Sequence, residues 1–76
     1  MNKIRRKALQ NIIDQLEELK SSLEELLQEE EEYRDNMPEN LQNSERYENA
    51  GNACCNLEDA IGSIEDAINS IEAATE

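Results

Sequence analysis

The residues in this chain that could do chemistry are few and poorly placed for it. Cys54 and Cys55 are adjacent, Glu29–Glu32 form an unbroken acidic run, four bases crowd the opening MNKIRRK, and there is no histidine. A nucleophilic thiol needs a base such as histidine and an electropositive setting, whereas these cysteines sit among acids. Neighbouring helical residues point about 100° apart, so the thiols make no disulfide framework, and two thiols alone are too few for a zinc site. The acidic run fans around a helix, leaving only Glu29 and Glu32 on one face. Neither the calcium-loop pattern D-x-[DN]-x-[DN]-G nor the inward Glu-x-x-His pairs of a di-iron bundle occurs. A carboxylate acting as general acid or base needs a desolvated pocket, which a two-helix seam does not offer. The sequence therefore predicts no catalytic residue, no metal site, no cofactor and no enzymatic activity.

Charge narrows the partners. Nineteen acids against seven bases give a formal charge of −12 in 76 residues, and the charge is segregated. Lys3, Arg5, Arg6 and Lys7 lie near the start, glutamates dominate from Glu17 to Glu32, and no base follows Arg46. Such a surface repels nucleic acid and anionic membrane and attracts basic protein surfaces. No stretch reaches the ~18 apolar residues of a membrane span, and the basic opening is not followed by the apolar run of a secretory signal. The adjacent, unframed thiols fit a reduced compartment, so the expected location is the cytoplasm.

The elements that carry these residues are written in the apolar spacing. Helix one shows Leu9, Ile12, Leu16, Leu19, Leu23, Leu26 and Tyr33, with Glu30 as a break; helix two shows Tyr47, Ala50, Cys54, Leu57, Ile61, Ile64, Ile68 and Ile71. Steps of three and four alternate, as a coiled-coil seam requires. Folded back about Asn40, the two rows pair in register: Leu26 with Cys54, Leu23 with Leu57, Leu19 with Ile61, Leu16 with Ile64, Ile12 with Ile68 and Leu9 with Ile71. The predicted fold is all-α, one antiparallel two-helix hairpin with helix one over about 3–35, a loop over 36–43 and helix two over about 44–74. Pro38 ends the first helix and opens a short turn at PENL, capped by Asn36, while Asn43 or Ser44 caps the second helix. Met37 and Leu41 are expected to fold inward over the bundle end.

A lone hairpin of this size has one seam and two wet outer faces, which predicts a homodimer forming a four-helix bundle. Ile13 and Leu27, one step past the seam, widen the stripe of helix one. Helix two repeats LEDAIGS and IEDAINS, placing Ala53, Ala60, Ala67 and Ala74 in one column where another helix can approach closely. These six residues form the expected oligomer interface. The charges of helix one oppose its own dipole and call for compensation, either from Glu72 and Glu76 beside Arg5 and Arg6 within the hairpin or from an antiparallel second copy.

The chain resembles short acidic helical proteins of unknown function in Firmicutes, their phages and mobile elements. The residues carrying that likeness are MNKIRRK, LEELLQEEEEY, the linker MPENLQNSERYENA and the alanine heptads. The resemblance implies a helical hairpin and adds no catalytic residue. Two functions follow as expectations. One is a non-enzymatic module that binds a basic protein, as an inhibitor from a phage or mobile element would, through Glu58, Asp59, Glu65, Asp66 and Glu72 on the outer face of helix two. The other is a structural or assembly bundle whose acidity only keeps it in solution.

Overall fold

The structure, a computed structural model, describes residues 1–76 as two long helices joined by a short turn. Helix α1 spans Lys3–Asp35 and helix α2 spans Glu45–Thr75, packed against each other as a hairpin, with a single 3-10 turn at Glu39–Leu41 between them. The rod measures 59 × 15 × 12 Å, and its radius of gyration of 17.4 Å far exceeds the ~11 Å of a globular chain this long. Neither helix is long and apolar enough to cross a membrane.

The ends follow the capping chemistry. Asn2 accepts the Arg5 N–H at 2.8 Å and starts α1. Ser44 accepts the Tyr47 N–H at 3.3 Å while its own hydroxyl donates to the Leu41 carbonyl at 2.6 Å, tying the turn to the first turn of α2. The Asn36 N–H closes α1 on the Glu32 carbonyl at 2.9 Å and the Met37 N–H bonds the Arg34 carbonyl at 3.3 Å, while the following turn has no side-chain cap, from Asn36 or any other residue. Met37 is buried over the bundle end, whereas Leu41 keeps 45% of its surface exposed and stays outside.

Helix α2 buries the row its spacing predicts: Ala50, Cys54 and Ile68 are buried, and Tyr47, Leu57, Ile61, Ile64 and Ile71 are half-buried. Helix α1 does not. Its inward residues are Leu9, Ile13, Leu16, Lys20, Leu23, Leu27, Glu30 and Arg34, while Ile12, Leu19, Leu26 and Tyr33 remain 44%, 58%, 53% and 48% exposed. The contact line on α1 is rotated by about 50°, half of one residue's angular step. The cause is the width of its apolar stripe. Three adjacent columns are apolar or long-stemmed, one partner helix covers two, and the column holding Ile13 and Leu27 goes inside with the aliphatic stems of Lys20 and Arg34. Ile13, expected at an oligomer interface, is only 2% exposed and belongs to the hairpin's own core; Leu27 is half-buried in the same column.

Only 5 of 76 residues are buried, so each core side chain carries a large share of the hairpin's stability. Ile68→Ala should destabilise by about 2–5 kcal/mol in urea unfolding. Gly51 and Gly62 lie inside α2, and a methyl group at either would meet nothing within 4 Å. Gly51→Ala and Gly62→Ala should each stabilise by about 0.5–1 kcal/mol in the same assay.

Candidate protein-interaction surfaces

An antiparallel pair of helices has two flanks, one on each side of the seam, and the two flanks of this hairpin differ in chemistry. On the first, Lys20 leaves the seam and crosses to α2, where its ammonium group bonds the Glu65 carboxylate at 2.8 Å; Glu24 of α1 lies 3.9 Å from the same ammonium. Glu17, Lys20, Glu65 and Glu72 line one shallow groove between the helices. Glu58, Glu65 and Glu72 recur here every seven residues, about 10.5 Å apart, with Asp59 and Asp66 one step further from the seam. All five are exposed. This is the acidic edge the sequence predicts as partner-binding, with one amendment: α2 carries no base after Arg46, yet Lys20 of α1 reaches across and neutralises Glu65 at its centre. The hydrogen bond to Glu65 is the main cause that holds the Lys20 pKa above its ordinary value. A raised lysine value means that the pair's contribution to folding is complete below the ordinary lysine range and fades as pH climbs through the raised one.

The opposite flank is apolar. Ile12, Leu19, Leu26 and Tyr33 form a column at seven-residue spacing on α1, all half or more exposed within a few per cent. On α2 the alanine column borders the same side, with Ala53 and Ala60 half-buried and Ala67 and Ala74 exposed. At the turn end both columns run into an open groove lined by Tyr33, Met37, Leu41 and Arg46, the last lying one heptad before Ala53. The alanine column and the exposed column on α1 thus share one flank of the hairpin. The sequence holds a signal for that column: Leu9, Ile13, Leu16, Leu23 and Leu27 also step by fours and threes once Lys20 is admitted to the seam.

Glu30 is half-buried at the rim of the groove, close to Ala50, and makes no hydrogen bond with Tyr47. No charged side chain is buried anywhere in the hairpin. The expected pairing of Glu72 and Glu76 with Arg5 and Arg6 does not form; the ion pairs are those of Lys20 and the adjacent Arg34–Asp35 contact at 3.0 Å. Lys3, Arg5, Arg6 and Lys7 are exposed and make no ion pair. No family model matches the chain, and no characterised protein or solved structure matches it either.

The two thiols separate cleanly. Cys54 is 2% exposed and Cys55 faces solvent. Burial is the main cause raising the Cys54 pKa, against the opposing pull of Arg34. A raised thiol value means stability is lost as pH rises past the ordinary thiol range, where the unfolded chain gives up its proton first. Iodoacetamide at pH 8 should modify Cys55 in the folded protein and both thiols in denaturant; mass spectrometry showing two adducts on folded protein would contradict the burial of Cys54.

Proposed function

We propose that this chain is a non-enzymatic protein-interaction module that pairs with itself into a four-helix bundle and offers its acidic edge to a basic protein surface. The observation that carries this reading is the division of the hairpin into an apolar flank, suited to permanent burial, and a carboxylate flank left in solvent. The carboxylates do no acid–base work because none occupies a desolvated position. Their value is collective: a row of negative charge at regular helical spacing steers and holds an extended basic surface, such as one that binds nucleic acid. An inhibitor of a nucleic-acid-handling protein is the sharper form of this reading, and the net charge of −12 supports it.

A second reading, a structural bundle with a merely solvated surface, draws support from Lys20, which neutralises the middle of the row it would otherwise leave intact. The two readings separate on salt and on charge. A tagged protein carrying Glu58→Gln, Asp59→Asn, Glu65→Gln, Asp66→Asn and Glu72→Gln keeps its helical residues' propensity and should fold as the parent does by circular dichroism. In a bacterial lysate the parent should capture basic proteins that elute between low and moderate salt, and the variant should lose them. Basic partners retained equally by the variant, or retained at high salt, would assign the acidity to solvation alone.

A further inference from the structure

The apolar flank has a partner that the chain itself describes. We infer that two copies pair through α1 in antiparallel fashion about a twofold axis at Leu19, laying Ile12 of each on Leu26 of the other. This rests on the self-pairing part of the reading above and specifies its face, direction and register.

Three observations carry it. The first is area. A compact chain of 8.7 kDa exposes about 4,700 Å². This hairpin exposes 5822 Å². The surplus of about 1,100 Å² exceeds the roughly 800 Å² that each partner of a stable interface contributes. The second is where the exposed side chains lie: Ile12, Leu19, Leu26 and Tyr33 make one straight column on one flank. Single exposed leucines need no explanation, whereas a continuous row beside an alanine column does.

The third is charge complementarity. Lys3, Arg5, Arg6 and Lys7 stand unpaired at one end of α1, and Glu29 and Glu32 stand exposed and unpaired at the other. Arg5 lies in the same seven-residue column as Ile12, and an antiparallel copy sets it over the ring of Tyr33, where a guanidinium is favoured, and within about one turn of Glu29 and Glu32. A parallel copy would stack bases on bases and acids on acids. Sliding the antiparallel pair one heptad toward the turn covers the column but carries residues 3–7 past the end of the partner's α1 at Asp35, away from Glu29 and Glu32; sliding it the other way uncovers Leu26 and Tyr33. Leu19 is the centre that satisfies both the apolar row and the charges. Lys20 meets Glu65 across the hairpin, so the same axis crosses α2 near that level, between Ala60 and Ala67, whose methyl groups allow close approach of the two second helices. All four helices are then antiparallel to their neighbours, and the acidic edges face outward on both sides of the bundle.

The test uses the full chain with Cys55→Ser, since buried Cys54 stays out of thiol exchange. Under mild oxidation Leu19→Cys should link to itself, while Ile12→Cys and Leu26→Cys should each fail alone and link when the two proteins are mixed. Leu19→Glu should stay helical and weaken association at least about 100-fold in sedimentation, because two carboxylates would meet on the axis. Ile12→Cys linking to itself would overturn the antiparallel direction. A parent of twice 8.7 kDa whose Leu19→Cys form does not link would overturn this face and register while leaving the four-helix bundle standing. A parent of 8.7 kDa at millimolar concentration would overturn the bundle and this inference together.

Discussion

One helix can cover only part of an apolar stripe three columns wide, and the rest of this structure follows from that limit. Helix α1 offers α2 more surface than α2 can take. The hairpin resolves the excess by turning α1 until Ile13 and Leu27 go inside and Ile12, Leu19 and Leu26 stay out. That rotation brings Lys20 and Arg34 into the seam, where their aliphatic stems pack and their charged ends escape to the rim. Lys20 then reaches Glu65, so the polarity of one flank and the apolarity of the other have a single geometric origin.

The fold was largely legible in the sequence because heptad spacing and turn chemistry act locally. Pro38, Ser44 and Asn2 set their helix ends through hydrogen bonds and backbone limits that need no knowledge of the partner helix. Helix α2 was legible down to individual residues, since its apolar column has isoleucine or leucine at Leu57, Ile61, Ile64, Ile68 and Ile71 and little else competes. Helix α1 misled because hydropathy ranks Leu19 above Lys20 for a buried position. That ranking treats lysine as a charge and omits its four-carbon stem, which covers apolar surface while the ammonium finds a carboxylate.

The candidate surfaces show the same division. The acidic residues of α2 could be placed outside from spacing alone, because columns off the seam of a two-helix hairpin meet solvent. Their partial neutralisation by Lys20 could not, since it depends on which of two adjacent columns of α1 faces inward. The residues expected on the apolar flank were exchanged for the same reason: Ile13 and Leu27 lie inward and Ile12 and Leu26 outward, beside the column of Ala53, Ala60, Ala67 and Ala74.

A core of five buried residues ties the hairpin's stability to whatever covers its apolar flank. With a second copy on that flank, as proposed, folding and association become one equilibrium, and stability depends on how much protein is present. Thermal unfolding followed by circular dichroism over a thousandfold range of chain concentration tests this most directly. The account predicts a midpoint that climbs steadily with concentration. A midpoint that does not move would show the hairpin to be sufficient on its own and would contradict the claim that its apolar flank is an interface.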